Sequence, residues 1–61
     1  MDKFKAVMIL SNITIEDLML LLGVKRSYIN RRLSGKAELT LSEVEKICRQ
    51  YNVKPSYILD T

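Results

Sequence analysis

Sixty-one residues allow one domain, and a chain this short buries only about 60% of its unfolded surface, so its margin of stability is thin. Nearly half of the residues are hydrophobic, enough for one compact core, and two Gly, one Pro and no repeat argue against long disorder. The net charge is a modest +3 and there is no histidine, which removes the commonest general base and metal ligand.

Other exclusions follow from single features. Cys48 is the one cysteine, so no intrachain disulfide can form, which suits a reducing cytoplasm. Its place on the core face of a helix reads as that of a small hydrophobe. The longest apolar run, Leu18 to Leu22, is five residues, far below the roughly 20 needed to cross a membrane. Ala6 to Leu10 is shorter than the roughly 7 to 15 residues of a signal-peptide core, so this stretch reads as the first helix of the fold. Paired acids at a pocket, a Gly-rich phosphate loop and a metal-ligand cluster are all missing, so no enzyme, cofactor or metal site is expected.

In chain order, the first helix is expected over about Asp2 to Leu10, with Phe4 and Val7 inward and Asn12 closing it in a left-handed conformation. Thr14 caps the second helix. Asp17, three residues later, makes a near relative of the capping box, and Ile13 and Leu18 hold the hydrophobic-staple positions. Leu18, Met19 and Leu22 face inward and Gly23 ends the helix. The third helix spans about Arg26 to Leu33. Ile29 and Leu33 are four apart and face the core; Ser27 and Arg31 point the opposite way at 100° per residue, with Tyr28 and Asn30 flanking that outer face. Ser34-Gly35 stops it, and Lys36 to Leu39 form a loop. Thr40 and Glu43 make a second capping box, with Leu39 and Val44 as staple, for a fourth helix from Leu41 to Tyr51. Its inward residues are Leu41, Val44, Ile47 and Cys48; Asn52 stops it, and Pro55 suits the first turn of a fifth short helix to Leu59. The fold class is therefore all-α, five short helices around one core.

Charge is unevenly distributed. Between Asp17 and Glu38 lie five bases and no acid: Lys25, Arg26, Arg31, Arg32 and Lys36. Half of the positive charge sits on or beside one short amphipathic helix, a shape suited to a DNA groove. Helix two, a turn at Gly23 and helix three have the spacing of a helix-turn-helix, at about residues 14–34.

The chain resembles the phage-repressor and Cro family of helix-turn-helix domains, the lambda-repressor-like type. The resemblance runs from Ile13 to Leu59 and is carried by Thr14-x-Glu16-x-Leu18, Leu22-Gly23-Val24, Arg26-Ser27-x-Ile29, Ser34-Gly35-Lys36, Thr40-Leu41-x-x-Val44-x-Lys46-Ile47 and Val53-x-x-x-x-Ile58-Leu59. It implies that Arg26, Ser27, Tyr28 and Arg31 read bases, and that Thr14, Ser34 and Lys36 hold phosphates. Lys25 can reach a phosphate from the start of helix three, and Asn30 on the flank is grouped with it. Arg32, toward the side, suits either a phosphate or solvent and is grouped with the phosphate-holding residues. The chain departs from the family at Ile15, where Gln is frequent, at Lys25, where a Ser or Thr cap is frequent, and at Met8 and Leu33, where a buried ion pair is frequent. Met8 against Leu33 is the expected apolar replacement.

The function this implies is a sequence-specific regulator of transcription, a small phage or bacterial repressor acting on double-stranded operator DNA in the cytoplasm of a bacterial cell or phage-infected host. Ile9, Leu10, Ile15, Leu20 and Leu21 exceed what so small a core should absorb. A homodimer is expected, through the C-terminal helix or the apolar surface of helices one and two. The alternative is a protein-interaction module on the same fold, of antitoxin or antirepressor type, with a protein partner.

Overall fold

The computed structural model describes residues 3–59. α1 (Lys3–Leu10) buries Phe4, Val7 and Met8, the three- and four-residue spacing of one helical face; the expected start at Asp2 lies outside the described residues. Asn12 ends it at φ 59, and the Ile13 amide returns 2.8 Å to the Met8 carbonyl, which satisfies a helix-end acceptor.

α2 (Ile15–Leu22) begins with a reciprocal cap. The Asp17 amide donates to Thr14 Oγ1 at 3.1 Å, and the Thr14 amide donates to Asp17 Oδ2 at 3.0 Å. Ile13 and Leu18, the staple pair, are both buried. Gly23 closes the helix at φ 66 and its amide donates to the Met19 carbonyl. A Cβ at Gly23 would meet no atom within 4 Å, so Gly23→Ala is expected to cost only the backbone penalty, about 1–2 kcal/mol. Urea unfolding of the variant measures it.

α3 (Arg26–Leu33) has the span the sequence predicts, and no side chain caps its Lys25 start. Ile29 is fully buried and Leu33 half-buried. At eight residues it is about 12 Å long, close to the width of the DNA major groove.

α4 (Leu41–Tyr51) repeats the reciprocal cap, with Glu43 N–H to Thr40 Oγ1 at 3.2 Å and Thr40 N–H to Glu43 Oε1 at 2.8 Å. Val44, Ile47 and Cys48 are buried, but Leu41, expected inward, is 68% exposed. Leu41 is the first residue of α4, and a helical Cβ tilts toward the N-terminus, which here lies beyond the core. Burial pushes the Cys48 thiol's pKa up, so it packs as a neutral side chain. Asn52 closes α4 at φ 55.

The fifth element is a single 3-10 turn, Pro55–Tyr57, rather than a helix running to Leu59. It still delivers Ile58 to the core, and the Lys3 ammonium donates to the Leu59 carbonyl at 3.1 Å, joining the two ends. The architecture is all-α, with no strand among the described residues. α2 packs against both α3 and α4, and the C-terminal turn packs against α1 and α4. Leu18, Ile29, Val44 and Ile47, from three helices, have no exposed surface and mark the centre. No helix among the described residues is long and apolar enough to cross a membrane.

Candidate nucleic-acid interface

The placement of α3 follows from Ile29. That side chain is fully buried, and residues two positions away on either side lie about 200° round the helix. Ser27 and Arg31 are accordingly exposed, one turn apart, and Arg26 and Asn30 are exposed beside them. No described side chain pairs with the Arg31 guanidinium. The Arg26 guanidinium instead crosses the turn, its Nη2 donating to Glu16 Oε2 in the first turn of α2.

The end of α3 is tied to the loop behind it. The Arg31 carbonyl accepts from the amides of Lys36 (3.0 Å) and Ala37 (3.2 Å) and from the Ser34 hydroxyl (3.1 Å). This folds Lys36, exposed, back toward the C-terminal end of α3. The Ser34 hydroxyl proton and amide proton are both engaged within the protein, the latter at the Asn30 carbonyl. Thr14 differs: its Oγ1 accepts from Asp17, and a hydroxyl that accepts keeps its own proton to donate. Lys25 is exposed at the head of α3.

Tyr28 and Arg32 have partners within the protein. The sequence groups Tyr28 with the base readers and Arg32 with the phosphate-holding residues. Both turn inward to Glu43 on α4. Tyr28 OH donates to Glu43 Oε2, Arg32 Nε reaches Glu43 Oε1 at 3.4 Å, and the Arg32 guanidinium lies 3.5 Å from the centre of the Tyr28 ring. The Arg32 side chain is only 11% exposed. The physical reason is Glu43, the one buried charged residue among those described; a carboxylate removed from water has to be paired and hydrogen-bonded, and α3 supplies donors. Stacking on the ring adds a cation–π attraction.

Burial alone would raise the Glu43 pKa, but the Tyr28 hydroxyl, the Thr40 amide and the Arg32 guanidinium together outweigh it and hold the carboxyl below its ordinary range. By accepting its proton, Glu43 in turn pushes the Tyr28 phenol upward. Because the native Glu43 pKa is the lower one, the unfolded chain takes up the proton first as pH falls. Stability that is complete above the ordinary glutamate value, about 4.3, is therefore lost as pH drops through the native one. Acid titration of the folded fraction is expected to show this loss, and Glu43→Gln to flatten it.

The Glu43 role is what sequence reasoning misses. Its signal is present in the sequence: Glu43 shares a face with Ile47, four residues on, beside buried Val44. Met8 and Leu33 both line one open groove of about 490 Å³, with Ile9, Ile13 and Ile15.

A short basic helix, braced on a second helix across a glycine turn, with its polar face outward, defines a helix-turn-helix domain, the class that presents its second helix to duplex DNA. The chain belongs to the helix-turn-helix family, whose profile matches residues 4–58; it is of the phage-repressor and Cro-like type, a family of DNA-binding regulators. No curated protein and no solved structure matches the chain.

Proposed function

We propose that this protein is a sequence-specific repressor that reads duplex operator DNA through the exposed face of α3 in the major groove. The observation that carries the reading is the outward facing of Ser27 and Arg31, opposite fully buried Ile29, with Arg26 exposed at the first position of the same helix. An arginine can donate two hydrogen bonds to guanine O6 and N7, and serine can bond bases or phosphates. Lys25, Lys36, Asn30 and the Thr14 hydroxyl surround them and hold phosphates. Ser34 supports this ring through the Arg31 carbonyl, and Tyr28 and Arg32 act from behind, by fixing α3 on Glu43.

One recognition helix makes few contacts, so the active form is a homodimer on two half-sites about one DNA turn apart. Exposed Ile9 and Leu10 on α1, and Tyr57 at the C-terminal turn, supply apolar surface for it. The same exposure, with Leu20 at 85%, favours a second reading, a protein-interaction module of antitoxin or antirepressor type.

Salt titration separates the two. A DNA binder loses a labelled duplex with a log–log slope of about −0.9 per phosphate neutralised; an interaction module gives no shift in low salt and retains a protein partner. Within the DNA reading, Arg31→Ala is expected to cost about 1–3 kcal/mol on the selected operator and relax preference at one base pair. Unchanged operator binding by that variant contradicts the assignment.

A further inference from the structure

One acid pairs directly with an exposed arginine of α3: Glu16. It lies in the first turn of α2 and pairs with Arg26, the first residue of α3, ten residues on. Both side chains are more than half exposed, 63% and 51%, and exposed pairs of this kind add little to folding. Near DNA a carboxylate also carries a cost, since it faces a polyanion. A role in geometry remains. Arginine has several rotatable bonds to order before it can make a two-pronged contact. Glu16 engages one terminal nitrogen, Nη2, while a guanidinium has five N–H donors; the others stay available to a base edge.

We propose that Glu16 is a specificity-determining positioning residue: its ion pair with Arg26 fixes that arginine at the head of the recognition helix and sharpens its choice of guanine. The inference rests on the DNA-reading function above. Discrimination arises in two ways. With guanine opposite, Arg26 meets two acceptors while still satisfying Glu16. With another base, the pair has to be broken to find an acceptor, or the carboxylate stays beside DNA without compensation. Either outcome penalises the wrong base more than the right one.

The test compares the unmodified protein with Glu16→Asp and Glu16→Gln. Asp keeps the charge and the favourable acid at the helix start but is one methylene too short for the same contact. Gln keeps the length and loses the charge. The probe is the duplex that the unmodified protein selects from random oligonucleotides, made in four versions that vary the base pair at which Arg26→Ala loses preference. Competition binding at fixed salt gives the preference ratios, and circular dichroism melts confirm that each variant is folded. The expected result is that both variants lose about five- to tenfold of the guanine preference, the lower part of what a bidentate contact supplies.

A purely electrostatic role predicts otherwise: Glu16→Asp behaves as the unmodified protein, and Glu16→Gln tightens all four duplexes by one common factor. That result overturns the inference, as does an Arg26→Ala variant that loses no base preference, and both leave the DNA-reading function standing. Failure of the unmodified protein to bind any duplex in low salt overturns that function and this inference with it.

Discussion

Leu18→Ala is expected to remove about 2–5 kcal/mol of stability, the range for truncating a buried leucine. A domain of 61 residues has roughly 3–9 kcal/mol in total, at about 0.05–0.15 kcal/mol per residue. The variant should therefore sit close to its unfolding midpoint under mild conditions. The magnitude follows from placement. Leu18 has no exposed surface, stands in the staple position opposite Ile13, and lies on the helix that packs against both α3 and α4. A cavity there loosens all three helices, and with them the orientation of the reading face. Leu20, two residues along the same helix, is 85% exposed, and its alanine variant should change stability by no more than about 0.5 kcal/mol. Urea denaturation followed by circular dichroism measures both, and equal effects at the two sites would contradict the core described.

Glu43→Ala is the second large effect, at about 2–4 kcal/mol, with contributions from the lost cap and from the donors left unpaired. Truncation removes the acceptor of the Thr40 amide, the acceptor of the Tyr28 hydroxyl and the partner of Arg32 together. Arg32, 11% exposed, would then be a nearly buried charge without its counter-ion, the costly half of a broken pair. Glu43→Gln should be milder, because glutamine still serves the capping box and still offers an acceptor to Tyr28. A ranking in which Gln is as damaging as Ala would point to charge alone; the geometry predicts Ala to be clearly worse.

The local features of this fold are legible in the sequence. Thr14 with Asp17, and Thr40 with Glu43, mark two helix starts because capping acts over three residues and needs no tertiary information. The left-handed stops at Asn12, Gly23 and Asn52 are equally local. The bounds of α3, and the outward facing of Ser27 and Arg31, follow from 3.6-residue periodicity applied to Ile29. What is lost is whatever depends on a distant partner. Tyr28 and Arg32 lie on the side of the helical wheel, and their partner is unreadable until Glu43 is brought beside them from 15 and 11 residues away. Glu43 already has a sufficient local explanation as a capping residue, which hides its second task. Leu41 misleads for a different reason: its apolar character fits the inward stripe, but a first-turn position projects past the end of the core. Glu16 likewise reads as helix-start chemistry until Arg26 is folded across the turn onto it.

These placements change the meaning of the basic window. Of the four arginines and lysines on or beside α3 from Lys25 to Arg32, Arg32 is structural, Arg26 is held by an acid, and Arg31 and Lys25 face outward. In the proposed function base reading falls to Arg26, Ser27 and Arg31, while Glu43 and Glu16 pair with side chains of the same helix. Three exposed apolar side chains, Ile9, Leu10 and Leu20, are not used by that face and are available for subunit or partner contact.

The most direct test of the central claim, that the outer face of α3 reads duplex DNA, is selection from a random double-stranded oligonucleotide pool at physiological salt. The expected result is enrichment of a palindromic consensus whose half-sites lie about 34–36 Å apart, one turn of DNA, with a guanine in each half-site contacted by arginine. A pool that shows no enrichment after repeated rounds, together with no binding of any duplex in low salt, would contradict it.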